Sequence, residues 1–337
     1  IIAFLVYLYQ RSFRYMDILF SLTQYASPTV WIVFHLFLFG MLALDLGIFN
    51  RTAHVPTFKE ALGWSVLWVA LSLLFNLFVW KNYGGDYGLE FLTAYLLEKS
   101  LSIDNIFVFA LIFTAFNVHM RDRHRVLFWG VVGALIMRAA MIIGGMSLLN
   151  RFHWLLYVFG GFLIFTGVKM LLKKEGEKGP NFEKISQWLS QVLPYDPEGG
   201  HKNFTVLKDG KRFFTPLLLV IATIEFCDLV FAIDSIPAVL AISKNPFVVY
   251  TSNIFALLGL RALYFLIADS MARFHFLGRG LAIILVWIGI KMLSADFIKG
   301  TLGVSNKVLT LTSLGMIIGV LVLSILLSLR KPLSSKS

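Results

Sequence analysis

Residues 98–109 read EKSLSIDNIFVF and residues 228–239 read DLVFAIDSIPAV. Laid over one another without a gap, the two stretches put Glu98 on Asp228 and Asp104 on Asp234. The likeness continues downstream. GALIMRAAM (133–141) resembles ALLGLRALY (256–264), so that Arg138 falls on Arg261, and TGVKM (166–170) resembles IGIKM (288–292). A run of three apolar segments therefore occurs twice in the chain, and self-similarity of this kind decides the architecture before any single motif does.

The setting of the repeat is a bilayer. Of 337 residues, 58% are hydrophobic and 15% charged, against roughly a quarter charged in a soluble domain. A helical span needs about 20 mainly apolar residues. Nine stretches qualify, near 28–49, 62–80, 91–117, 125–148, 153–172, 213–243, 247–269, 279–300 and 308–330. The expected fold is an all-α polytopic membrane protein of about nine transmembrane helices. It divides into an N-terminal interfacial segment (1–27), two helices (28–90), a first repeat of three helices (91–172), a cytoplasmic loop (173–212), a second repeat (213–300), and a last helix with a cytoplasmic tail (301–337). Within the loop, FEKISQWLSQVL (182–193) has the spacing of a short amphipathic helix. Residues 1–25 carry Arg11 and Arg14 in an apolar run too short to span and without a small-residue cleavage site.

The net charge of +11 raises the possibility of a nucleic-acid partner, but its distribution answers to the membrane. With the first span starting outside, the inside loops hold Arg51 and Lys59, then Arg121, Arg123 and Arg125, then the Lys-rich loop, then Arg273 and Arg279, and the tail with Arg330, Lys331 and Lys336. The outside loops hold Lys81, Arg151, Lys244, Lys299 and Lys307. Apart from the tie between Arg273/Arg279 and Lys299/Lys307, each inside loop is the richer, which is the positive-inside bias. The expected placement is a bacterial inner membrane, N-terminus outside and C-terminus cytoplasmic, with no nucleic acid as partner.

A unit of three spans must enter its second copy from the opposite side, so the repeat is inverted. That arrangement places ion or substrate sites near the bilayer midplane, where the copies meet, often at broken helices. Carboxylates at that depth are functional hypotheses by default, because burying their charge costs at least about 2.5–3.5 kcal/mol. Glu98, Asp104, Glu225, Asp228 and Asp234 are concentrated on two repeat-related helices, and a divalent cation is the simplest partner for so many. At about 100° per residue, Glu225 and Asp228 lie about 60° apart, whereas Asp228 and Asp234 diverge by about 120°. The spread, with Pro237 unable to donate a backbone hydrogen bond and Asn105 or Ser235 able to divert one, predicts helices unwound or kinked near Asp104–Asn105 and Asp234–Ser235.

The expected ligands are oxygens of carboxylates, carbonyls, amides and water, which suit Mn²⁺, Mg²⁺ or Ca²⁺. Asp45, Asn105, Ser235, Asn253, Arg138 and Arg261 are candidate additional residues of the pathway. For the two arginines two readings stand: each pairs with acids in the cation-free state, or each joins helices as a structural ion pair. Lys169 and Lys291 read as snorkelling anchors, His35 as a satisfied helix residue, and the single Cys227 as inert packing that rules out an intrachain disulfide.

At EKSLSIDNIFVF, FCDLVFAIDSIPAV (226–239) and TSNIFALLGLRALYF (251–265), and again at FFTPLLLV (213–220), the chain resembles the TerC family and, within it, the Alx-like branch. The resemblance covers about 30–330. It implies an integral membrane protein of a family first associated with tellurium resistance, with manganese export in the Alx-like branch and an inverted three-span repeat in the wider lysine-exporter superfamily. Glu98, Asp104, Glu225, Asp228 and Asp234 are the acidic positions it carries over. The family commonly has a small polar residue where this chain has Cys227.

The expected function is a secondary transporter that exports Mn²⁺, driven by an ion gradient because the sequence shows no nucleotide-binding motif, with protons as the expected counter-ion, Mn²⁺ as cargo and no tightly bound cofactor. Alternatives are Ca²⁺ or another cation carried by the same fold, or a membrane scaffold or insertion factor without transport. An oxyanion cargo would call for arginines and helix N-termini in place of acids. No catalytic spacing points to an enzyme.

Overall fold

The computed structural model describes residues 26–47, 57–116, 118–152, 154–172, 196, 204–208, 210–267, 276–302 and 304–330. The interfacial segment expected at 1–27 (apart from residues 26 and 27) and the amphipathic helix expected at 182–193 lie outside them. In chain order come α1 (Pro28–Gly47), α2 (Phe58–Tyr83), α3 (Gly85–Ala115), α4 (Met120–Arg151) and α5 (Leu155–Leu172). A two-stranded hairpin follows, β1 (Thr205–Lys208) and β2 (Lys211–Phe214), then α6 (Pro216–Leu240), α7 (Pro246–Leu258), α8 (Leu260–Ile267), α9 (Leu277–Leu302) and α10 (Asn306–Arg330). Local signals set several starts. Thr57 and Glu60 form a reciprocal capping box at α2. The Asn245 side chain caps α7 ahead of Pro246, accepting from the N–H groups of Phe247 and Val248.

Among the described residues, seven helical spans are long and apolar enough to cross a membrane: Phe58–Tyr83, Asp122–Leu149, Leu155–Leu172, Pro216–Leu240, Pro246–Ile267, Leu277–Ala295 and Asn306–Arg330. The chain is thus an all-α, multi-pass membrane protein. Seven of the nine spans read from the sequence correspond to these; the other two fall on α1, whose described apolar part is Pro28–Leu44, and on α3, which carries Glu98, Lys99 and Asp104 inside its apolar stretch.

Burial sorts the helices by neighbour. Ile32, Leu36 and Phe39 of α1, Leu74 and Leu77 of α2, Phe165 and Leu172 of α5, and Leu323 and Leu326 of α10 all present exposed side chains, as lipid-facing surfaces should. In α7, by contrast, every residue except Tyr250 is buried. It is the inner helix. Around it α3 packs on α7, while α4 packs on α6; α3 also meets α6, and α4 meets α7. Exchanging the first three-helix unit with the second carries α3–α7 onto α4–α6 and leaves the α3–α6 and α4–α7 pairings unchanged.

The most extensive pairing joins the last helix of each unit, α5 and α9. It is made by small residues. A Cβ on Gly289 would come within 2.7 Å of the Gly160 carbonyl oxygen, and one on Gly167 within 2.7 Å of the Ala282 carbonyl oxygen. The alignment of TGVKM with IGIKM places Gly167 on Gly289, and the same offset places Gly160 on Ala282. The two contacts are therefore one contact with the halves interchanged. Without water to drive helices together, close approach at small residues supplies the packing energy.

Three features depart from the sequence reading. α3 and α6 run as helix through Asp104–Asn105 and Asp234–Ser235, so the unwinding expected there is corrected. Pro237 lies near the end of α6, where its missing N–H releases one carbonyl without stopping the helix, and the Asn105 amide is directed at Asp228 and not at the backbone. The segment read at 247–269 is one span, Pro246–Ile267, but its helix is interrupted at Gly259, between α7 and α8. Finally, part of the loop 173–212 is a hairpin whose register leaves two residues between Lys208 and Lys211, with Gly210 at φ 74° as a two-residue turn requires. Asp196 anchors the hairpin through an ion pair with Lys208 at 3.0 Å and a backbone bond to the Phe214 carbonyl.

The α5–α9 contact makes a stability prediction. Gly289→Leu forces backbone or Ile164 to move and should cost about 1–3 kcal/mol, lowering Tm in detergent. Gly161, where an added Cβ would meet nothing within 4 Å, should accept Ala with Tm unchanged.

Candidate functional site: an arginine between two carboxylates

The centre of the bundle holds charge where the sequence placed it. Arg138 of α4 is 2% exposed, Glu98 of α3 is fully buried, and Asp228 of α6 is 1% exposed. The Arg138 guanidinium donates from Nη1 to a Glu98 carboxylate oxygen, from Nη2 to Asp228 Oδ1 at 3.3 Å and from Nε to Asp228 Oδ2 at 3.4 Å. Nη1 also donates to Asn253 Oδ1 of α7 at 2.9 Å. The fork is thus used on both sides, and it ties four helices together at one point. Asn105 of α3 completes the shell, donating from Nδ2 to Asp228 Oδ1 at 3.3 Å.

Helix geometry explains why these residues meet. Glu98 and Asp228 occupy matching positions in the two repeat units, and α3 and α6 are in contact. Arg138 and Asn253 come from α4 and α7, the inner neighbours of those helices. One guanidinium therefore faces two carboxyl groups in an interior with little water. Buried ion pairs break even only when further hydrogen bonds satisfy the remaining polar atoms. Here that satisfaction is incomplete: among the described residues, Glu98 Oε1, Asn253 Nδ2, Ser235 Oγ and Ser102 Oγ have no hydrogen-bond partner. Buried polar atoms of this kind are ordinarily satisfied by ordered water or a bound ligand.

Glu225, one turn before Asp228, takes a different direction. It is half-buried and its carboxylate lies against Gly130 and Gly133 of α4, so closely at Gly133 that a Cβ there would make the carboxylate shift. Its Oε1 also lacks a partner among the described residues. Sequence reading finds Glu225 but not Gly133. The signal, Gly130 and Gly133 of WGVVGA facing an acidic helix, requires knowing that α4 packs on α6.

The remaining candidates divide. Asn105, Asn253 and Arg138 belong to the cluster, and Ser235 is buried on α6. Arg261, the repeat partner of Arg138, is half-buried at the second position of α8, beyond the break at Gly259. The side chains of Asp45, Asp104 and Asp234 lie outside the described residues, and no group of three His, Cys, Asp or Glu side chains that would hold a metal ion occurs among the described residues. His35 is satisfied, with Nδ1 2.8 Å from the Trp31 carbonyl and Nε2 3.0 Å from the Tyr250 hydroxyl. Lys291 lines a cavity of about 270 Å³ with Glu90, Lys244 and Asn245. Cys227 is buried with its thiol unpaired.

A family model described as "Integral membrane protein TerC family" matches residues 83–336. A Myxococcus xanthus protein described as "Uncharacterized membrane protein STKORF319" is 50% identical over 274 residues, covering 81% of this chain and 86% of its own length. Proteins described as "Putative membrane-bound redox modulator Alx" are 46% identical over 299 residues in Salmonella typhi, covering 85% of this chain and 93% of theirs, and 43% identical over 311 residues in Escherichia coli K12, covering 90% and 94%. No solved structure matches the chain.

The cluster makes an energetic prediction. Arg138→Met leaves two carboxyl groups buried without their cation and should destabilise by about 3–5 kcal/mol. Adding Glu98→Gln and Asp228→Asn should recover most of the loss. Unfolding of the single and triple variants in detergent measures both, and a triple variant no more stable than Arg138→Met would contradict the pairing.

Proposed function

The chain belongs to the TerC family of integral membrane proteins, and from that premise we propose that it is a secondary transporter exporting divalent metal ions, Mn²⁺ foremost, through the carboxylates at the meeting point of its two repeat units. The observation that carries the reading is the juxtaposition of Glu98 and Asp228. They stand at equivalent places in the two repeats and are brought within reach of one guanidinium in an interior that otherwise favours apolar side chains.

With no metal present, Arg138 compensates Glu98 and Asp228 and holds the site closed. A hard divalent cation competes for the same oxygens, accepting carboxylate, amide and water ligands in place of the guanidinium. Glu225 on α6, with Asp104 and Asp234 as the further acids in the sequences of α3 and α6, relays the ion or a proton. Asn253 and Asn105 reposition their amide oxygens as ligands. Inward movement of protons supplies the energy, and the reciprocal packing of the two three-helix units supports an alternation in which the units exchange roles. The protein sits in the bacterial inner membrane with its C-terminus cytoplasmic, the orientation that the distribution of Arg and Lys among the loops favours.

The description of the relatives as redox modulators finds little chemistry to attach to in this chain. Its one cysteine, Cys227, is buried in α6, so no thiol pair is available within the chain.

Mn²⁺ flux into liposomes containing the purified protein, driven by an imposed pH gradient, tests the proposal. Saturable flux is expected for the wild type, with loss of at least tenfold in Asp228→Asn and Glu98→Gln. Flux of Ca²⁺ that outcompetes Mn²⁺ would change the cargo. Absence of saturable flux, or flux indifferent to both substitutions, would refute transport through this site and leave the acids as structural ties.

A further inference from the structure

The interruption between α7 and α8 lies inside the protein. The last four carbonyls of any helix have no intrahelical partner, and those of α7 belong to Phe255, Ala256, Leu257 and Leu258, all buried. They carry the negative end of that helix's dipole. The Gly259 N–H turns back to the Leu257 carbonyl. The Ala256 carbonyl accepts a hydrogen bond from Lys99 Nζ, 3.3 Å away and arriving from α3. Gly259 itself is hemmed in, since a Cβ there would stand 2.5 Å from Lys99 Nζ and 3.2 Å from Trp68 Cβ. The absence of a side chain at 259 is what lets the ammonium reach the helix end.

Lys99 follows Glu98 in sequence but points away from the Arg138 cluster. No carboxylate among the described residues lies within ion-pair distance of it. An ammonium placed at membrane depth against backbone carbonyls is costly unless those carbonyls act as its ligands. Unwound backbone and the C-terminal ends of half-helices are the places where membrane transporters bind small cations. We propose that the C-terminal end of α7 is a monovalent-cation site and that the Lys99 ammonium is a tethered cation that fills it.

The consequence is specific. Lys99 supplies the positive charge that keeps α7 ended at Leu258, and α7 in turn carries Asn253 to Arg138. Removing the ammonium leaves the Ala256 carbonyl, at the negative end of α7, to a small cation such as Na⁺ or K⁺ and not to choline, whose methyl groups keep its charge away from an oxygen ligand. The inference concerns a site separate from the carboxylates and does not depend on which ion those carry.

Thermal unfolding of the purified full chain in detergent tests it, with NaCl, KCl or choline chloride at equal ionic strength. The wild type and Lys99→Arg should show the same Tm in all three salts. Lys99→Ala should have a Tm lower by several degrees in choline chloride and regain at least half of that loss in NaCl or KCl. Recovery of folded Lys99→Ala only from preparations made in NaCl or KCl would be the same result in stronger form. Lys99→Gln, which keeps a donor for the Ala256 carbonyl without the charge, should be destabilised in choline chloride. A Lys99→Ala variant whose Tm, or whose failure to fold, is indifferent to the cation would overturn the proposal, as would Lys99→Gln as stable as the wild type in choline chloride. Because the readout is stability, loss of this proposal leaves metal export standing, and failure of metal export leaves this proposal standing.

Discussion

The interior is organised around one guanidinium. Arg138 reaches Glu98 on α3, Asp228 on α6 and Asn253 on α7 from its own place on α4, so four helices share a single charged node. Each of those groups would be costly alone in a bilayer. Together they are tolerable, because the guanidinium is planar, permanently charged and able to bond on two sides at once. The balance is incomplete, with two carboxyl groups to one cation and orphan oxygen and nitrogen atoms around them.

The packing that delivers those residues rests on small side chains. Gly160 against Gly289 and Gly167 against Ala282 bring α5 and α9 into backbone contact, and the two contacts interchange when the halves are exchanged. Gly133 does the equivalent service for Glu225, and Gly259 for Lys99. In the last two cases a missing side chain lets a charged group come close to the backbone. The lipid-facing helices carry large exposed apolar residues, and the charged cluster sits in an otherwise apolar core that includes Phe91, Phe113, Phe247 and Phe255.

The part of this that sequence can show is the part encoded in repetition and composition. Glu98 and Asp228 are identifiable as partners because both copies of the unit keep an acid at that position, and Arg138 because an arginine in an apolar span demands a counter-charge. The helix break lies elsewhere than the residue types suggest. Asp234–Ser235 with Pro237 nearby has the residue types that release backbone groups, yet a proline near a helix end removes only one bond. ALLGLRALY reads as continuous apolar helix, and its interruption at Gly259 depends on Lys99, which sits 160 residues away in the chain. The hairpin does have a local signal, since Asp209–Gly210 between residues of alternating character is a two-residue turn dipeptide, but the polar composition of the whole loop obscures it.

Arg138 and a divalent cation are held to compete for the carboxyl oxygens of Glu98 and Asp228. Equilibrium Mn²⁺ binding to purified, folded wild type and Arg138→Gln, followed by the loss of the free Mn²⁺ resonance, tests this most directly. The account predicts measurable binding by the wild type and tighter binding by Arg138→Gln, because the metal no longer has to displace the arginine. Binding that is absent from both proteins, or weaker in the folded Arg138→Gln variant, would contradict it.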